Sequence, residues 1–240
     1  MSIHLSIDLR HTHPVGIRSV ESLVLRALPW LTDREQAPAR LALIPVGFLP
    51  VTLIAATAFG VAGLRELAVL LLVPSLAVVA VVLVCRPAFA PTALRALAVG
   101  IVATALYDAF RGSFILAGLM EDPIPHIGAA LSLDPAWLFG YLWRYLGNGG
   151  GMAIAFVALG LRGVRVGVLY GLFVCSGLLF TLLFAPYGEE MLFPLSAITV
   201  VMAVGGHIIY GATLGWLSSH LEDRKPGSSR TDRREHQASV

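Results

Sequence analysis

Apolar residues fall in helix-length blocks along this chain, separated by short polar stretches. The blocks predict six spans at roughly 41–63, 66–85, 93–118, 144–161, 166–185 and 192–217. Each reaches the ~17 residues needed to cross the hydrocarbon of a bilayer. A soluble core helix would alternate apolar and polar faces at a period near 3.6, whereas these blocks are mostly apolar all round. The pattern therefore predicts an all-α, polytopic membrane helical bundle of six transmembrane helices. The fourth span opens with RYLGNGGG, so its start is expected to be irregular.

Between and around the blocks the pattern changes. In residues 17–31, IRSVESLVLRALPWL, the residues Val20, Leu23, Val24, Ala27, Leu28 and Leu31 recur at helical spacing. This predicts an amphipathic helix, either lying on the inner leaflet with Trp30 at the interface or packed on the cytoplasmic helix ends. Residues 1–40 then form a cytoplasmic or interfacial segment and 41–218 the membrane domain. Residues 219–240 form a polar, charged tail expected to be disordered. The segment 119–143 carries prolines at 123, 125 and 135 and tryptophans at 137 and 143. Too apolar for a free loop, it is expected as an outer lid or a re-entrant element, with Asp134-Pro135 starting a helix.

Composition agrees. The chain of 240 residues is 57 % hydrophobic and 13 % charged, with mean hydropathy +0.79. About 25 % charged is usual for a soluble domain. Loop charges alternate. Arg10, Arg18, Arg26, Arg34 and Arg40 precede the first span, Arg86 follows the second, Arg162 and Arg165 follow the fourth, and Arg224, Lys225, Arg230, Arg233 and Arg234 follow the sixth. The other side carries Arg65 with Glu66, then Glu121, Asp122 and Asp134, then Glu189 and Glu190. The positive-inside rule places both termini in the cytoplasm of a cell inner membrane. The net charge of +2 suggests no nucleic-acid partner, and Cys85 and Cys175, both in apolar runs, form no disulfide framework. The first long apolar run begins near Leu41, so no cleavable signal peptide is expected.

Polar groups inside the spans are costly and so mark candidate sites. In LYDAFRG, Asp108 and Arg111 share a helix face, with Tyr107 beside them. Counted from Ala93, Asp108 lies about 22 Å along its span, toward the outside. In the run Met191 to Leu217, the stretch GGHIIYGATLG puts His207 and Tyr210 one turn apart. Counted from Leu192, His207 lies about 22 Å down, in the inner half. The two levels then differ by roughly 10 Å, which predicts no direct contact between Asp108 and His207. Arg144, Tyr145 and Asn148 precede the glycine run, and Glu189 and Glu190 face them at the outer end. Arg144 is expected to pair with Glu190 or with Asp108. Tyr107, Asp108, Arg111, Arg144, Asn148 and Glu190 are predicted to line an outward-opening polar pocket under the lid; His207 and Tyr210 are further candidate ligand residues. The glycine run itself is either a turn or a broken helix aiming N–H groups at an anion.

Two rows of small residues remain. Gly163, Gly167 and Gly171 are spaced by four, continued by Cys175, and Gly211 and Gly215 repeat the spacing. Such faces let helices approach closely, within one chain or in a homodimer.

Several chemistries lack their residues. Only His207 is intramembrane among the histidines, which argues against a two-histidine haem clamp and leaves a single axial ligand open. HLSIDLRHTH at 4–13 has no rigid metal-ligand spacing, and HExxH, GxSxG, CxxC and GxxxxGK[ST] are absent. No metal site or named cofactor is expected. Spans 1–3 do not mirror spans 4–6, against a symmetric carrier. LYDAFRG, GYLWRYLGNGGG and GGHIIYGATLGWL, in this order, resemble a loose group of uncharacterised bacterial polytopic membrane proteins over about residues 93–217. The resemblance implies an Asp/Arg span, a glycine-broken span and a His-x-x-Tyr-Gly span, and no activity. Three function classes follow: an accessory subunit of a membrane complex, a small-molecule binding protein or transporter, and a membrane enzyme or cofactor protein using His207. Membrane lipids are the expected surroundings.

Overall fold

The structure, a computed structural model, describes residues 37–222, with side chains described as far as 220. The expected amphipathic helix at 17–31, the histidines at 4–13 and the tail beyond Glu222 lie outside the described residues.

The described chain is all helix and turn. In order come α1 (Ala37–Ala58), α2 (Leu64–Cys85), α3 (Pro87–Leu116), the short α4 (Ile124–Ala130), α5 (136–158), α6 (Val164–Phe184), the single turn α7 (Gly188–Met191) and α8 (Ala197–Glu222). Five of them, α1, α2, α3, α6 and α8, are long and apolar enough to cross a bilayer. The protein is thus a multi-pass membrane protein built as a helical bundle.

α5 departs from expectation. The glycine run does not break it; Ala136–Leu142, a π-helical stretch Trp143–Gly151 and Met152–Ala158 join into one continuous helix. The glycines instead allow backbone contact on two sides. A Cβ at Gly151 would strike the Gly47 carbonyl of α1, and one at Gly100 of α3 would strike the Gly149 carbonyl. α5 is therefore wedged between α1 and α3, with its N–H groups spent on its own helix rather than on an anion. A π turn widens a helix and misaligns its ladder. Here the flanking carbonyls receive outside donors: Tyr210 Oη–H donates to Gly149 O and Tyr170 Oη–H to Met152 O, each at 2.8 Å. At the C-terminal end of α5 the Arg40 guanidinium donates to Ala158 O at 3.2 Å, a cation at a helix C-terminus.

The glycine rows meet each other. A side chain at Gly167 or Gly171 would collide with the Gly211 or His207 carbonyl, and one at Gly211 or Gly215 with the Gly167 or Gly163 carbonyl. α6 and α8 thus pack backbone to backbone, and these small faces, considered as dimer surfaces, are occupied within the chain. Gly163 itself is not part of a helix. Its φ of +83° turns the chain into α6, a conformation that only glycine adopts without strain.

Around these crossings lie two apolar clusters. The larger is centred on Phe156, Met202, Leu214 and Ala103, all fully buried. Lipid is as apolar as these side chains, so what holds them is close packing rather than escape from water. The second cluster lies at the C-terminal end of α1: Leu53, Ile54 and Ala58 of α1, Leu64 and Leu67 of α2, and Ile124, Ile127 and Leu131 of the lid. The segment between α3 and α5 thus folds as a short helix clamped on the first turn of α5, where Gly128 faces the Ala136 carbonyl and Gly140 the Ile124 carbonyl. By contrast, no residue of Val73–Cys85 in α2 is buried.

Candidate functional site

α3 carries Tyr107, Asp108 and Arg111 on the face toward α5 and α8. A ladder of alternating charge starts here. Arg144 of α5 grips Asp108 through Nε at 2.7 Å and through Nη2. Arg111 Nε lies 3.2 Å from the same carboxylate, near enough for ion pairing although not aligned as a hydrogen bond. Arg111 Nη1 reaches outward to Asp122 at 2.7 Å, and Tyr141 Oη–H donates to the other Asp122 oxygen, also at 2.7 Å. Arg144–Asp108–Arg111–Asp122 therefore carries two cations and two anions, with no excess of either. Alternation is what makes the depth tolerable, because a charge removed from water is stable only when paired. The Arg111 side chain is 4 % exposed and that of Asp108 10 %.

Asp122 lies outside the spans, where the lid begins. Burial acts to raise its carboxyl, but the hydrogen bonds from Tyr141 and from the Ile124 N–H, with the Arg111 charge, outweigh it and hold the group below the ordinary carboxylate value.

His207 of α8 reaches this ladder through Tyr107. Residues 193–196 belong to no helix and α8 begins only at Ala197, so His207 sits near the middle of its helix. The Tyr107 ring fills the gap. Its centroid is 4.6 Å from the Arg144 guanidinium carbon and 5.2 Å from the His207 ring, which it meets edge-on at 85°. Gly206 makes room for that ring and Gly205 for Phe110. Tyr107 thus links Arg144 to His207. His207 bonds the Ala203 carbonyl through Nδ1 at 2.7 Å. Tyr210 turns to α5 instead, so the pair one turn apart serves two different neighbours.

These groups border a cavity of about 350 Å³. Tyr107, Arg111, Arg144, Asn148 and His207 form its polar end. Pro123, Ile124 and Ile127 of the lid cap it from outside, and Phe48, Val51 and Thr52 of α1 and Phe173, Val174 and Ser176 of α6 form the walls. Asn148 is 9 % exposed, and among the described residues its buried side-chain oxygen Oδ1 has no hydrogen-bond partner. Within the same limits His207 Nε2 is also without one.

Of the predicted pocket, Tyr107, Asp108, Arg111, Arg144, Asn148 and His207 are brought together. Tyr210 is buried behind them as a clamp on α5. Glu190 is not brought in: it is exposed on α7 and makes no ion pair with Arg144, which is held by Asp108. Every residue of the lid that lines the cavity is buried. Sequence reasoning missed Tyr141 and Asp122 as members of the ladder and α1 as a wall. Gly47, Pro45 and Pro50 within α1 were the available signal, since proline and glycine inside a span mark close approach or a freed carbonyl. Among the described residues no three His, Cys, Asp or Glu side chains converge in a metal-binding group. No protein-family model, curated protein or solved structure matches the chain.

Proposed function

We propose that this membrane protein binds a small molecule inside the bundle, in the cavity headed by Arg144, Asn148 and His207. One observation carries the reading: the buried Asn148 Oδ1, with no partner among the described residues, lines a cavity of about 350 Å³ beside a charge ladder already balanced. Buried polar groups are nearly always satisfied, and one that is not marks a place where something else binds. The volume falls at the lower end of the ~300–1,000 Å³ common for small-molecule sites.

In this reading α5 is a sixth crossing. It is too polar to face lipid, and burial between α1, α3 and α8 removes that demand. Six crossings put both termini on one side, and the arginine-rich loops make that side the cytoplasm, which suits an inner membrane.

Native mass spectrometry of the purified chain tests the binding reading. A stoichiometric small-molecule adduct is expected, absent from Ala55→Trp, which fills the cavity, and retained in Val84→Trp on the outer face of α2. No adduct in the parent, or one that survives Ala55→Trp, would refute it.

A second reading, an accessory subunit, is favoured by α2. Val69, Leu70, Val73, Leu76, Val81 and Val84 are each more than half exposed, and among the described residues no side chain of Val73–Cys85 is buried. Such a helix suits either lipid or a partner subunit, and cross-linking from Val81→Cys in native membranes distinguishes them.

A further inference from the structure

Among the residues lining the cavity, four are exposed: Thr52 on α1, and Phe173, Ser176 and Gly177 on α6. All the lining residues of the lid, α3, α5 and α8 are buried or half-buried. The opening is therefore sideways, between α1 and α6. Rings close the gap at two levels. Phe48 meets Tyr170 on the inner side, with centroids 5.9 Å apart, and Phe59 meets Phe180 on the outer side at 6.1 Å. Between these levels the wall is interrupted.

The depth of the gap decides what can use it. Thr52 lies about 22 Å from the start of α1 and Ser176 about 18 Å from the start of α6, so the gap faces hydrocarbon rather than water. Its rim is also dry. Thr52 Oγ1 donates to Phe48 O at 3.0 Å and Ser176 Oγ to Phe173 O at 2.7 Å, so both hydroxyls are spent on their own helices. A water-soluble molecule has no path through such a rim, whereas a hydrocarbon chain meets no barrier there.

Resting on the binding reading above, we infer that the occupant is a membrane-dissolved, single-chain amphiphile with an uncharged, hydroxyl-bearing head, which enters sideways between α1 and α6. Its head meets Asn148, a donor and an acceptor in one group, and His207 Nε2, an acceptor because Nδ1 carries the proton donated to Ala203 O. A head with two hydroxyls satisfies both, one O–H donating to Asn148 Oδ1 and the other to His207 Nε2. The ladder's balanced charge argues against an ionic head, which would have to displace Asp108 or Asp122 from its arginine. The cavity's size holds one chain rather than two, and the rest of that chain extends through the gap into the bilayer.

Gly177 provides the test. A Cβ there meets open space, so a larger residue fills the gap without striking the fold, and leaving glycine improves helix propensity. The full chain in lipid nanodiscs is photolabelled with a diazirine-bearing monododecanoylglycerol, and labelled positions are mapped by mass spectrometry. Labels are expected on Phe173, Thr52 and Met202 in the parent and in Gly177→Ala, with those on Met202 lost in Gly177→Phe. Asn148→Leu should lower labelling of Met202 about tenfold, the worth of one buried hydrogen bond. Labelling of Met202 that is unchanged in Gly177→Phe, or confined to the lipid-facing residues in every variant, overturns the sideways route. If the native adduct is seen while monododecanoylglycerol never reaches Met202, the amphiphile inference falls and small-molecule binding stands. If neither is seen, both fall.

Discussion

The hydroxyl of Tyr210 on α8 donates to the carbonyl of Gly149 on α5 at 2.8 Å, where the π-helical stretch gives way to α-helix. Tyr170 on α6 does the same one turn further, at Met152. Two tyrosines from neighbouring helices therefore hold an irregular helix in place. Tyr210→Phe removes the donor and keeps the ring. The expected loss is about 1 kcal/mol, because the carbonyl stays buried in a bundle with no water to replace the bond. Tyr170→Phe should lose a similar amount, and the two should add. Thermal melting of the purified variants in one detergent reads both.

The ladder makes a non-additive prediction. Asp108→Leu leaves Arg144 and Arg111 buried against one remaining carboxylate and should destabilise by about 3–5 kcal/mol, the cost of stranding a buried charge. Arg144→Leu alone strands Asp108 less severely, since Arg111 Nε is 3.2 Å away. The double variant Asp108→Leu, Arg144→Leu removes a cation and an anion together and should recover much of the loss. A double-mutant cycle on melting temperature measures this coupling. Simple addition of the two single effects would show that the pair is exposed to water.

How far the chain could be read ahead of its structure depended on whether a residue's partner was local. Long apolar blocks identified five of the helices, since composition alone sets membrane span. The Asp108–Arg111 pairing lies within one turn and was legible for the same reason. The partnership of Arg144 with Asp108 was one of two alternatives, because charge names the sign of a partner but not its position. The start of the last span was misplaced, since the stretch Leu192–Ser196 is as apolar as a helix but is not one; Pro194 was the cue. The cavity wall on α1 was illegible. Its residues are ordinary lipid-compatible side chains, and only the crossing of Gly47 with Gly151 tells which of them face inward.

The contact between α6 and α8 predicts a steep size limit. Gly167→Leu or Gly211→Leu would drive a side chain into a backbone carbonyl of the facing helix, which cannot rotate away. Neither variant should yield folded protein. Gly177→Leu, one helix face away with open space around its Cβ, should be produced at the parent level. Yield of monodisperse protein on size-exclusion chromatography distinguishes them. Equal yield from Gly167→Leu and Gly177→Leu would mean that the two helices do not touch at the glycines.

Asp122 gives the lid a pH dependence of known sign. Its carboxyl is held below the ordinary carboxylate value by Tyr141, the Ile124 N–H and Arg111, against the opposing effect of burial. A group depressed in the folded state stabilises fully above its unfolded pKa, and that contribution is lost as pH falls through the folded one. Docking of the lid on α3 and α5 should therefore be constant at neutral pH and weaken only in acid below the ordinary carboxylate range. Hydrogen exchange over residues 123–131 should quicken there in the parent relative to its rate constant for unprotected amides. In Asp122→Asn exchange should be faster at neutral pH already and show no further acid step, because the group that titrates is gone. An acid step that persists in Asp122→Asn would assign it to another carboxylate, with Glu121 the nearest in sequence.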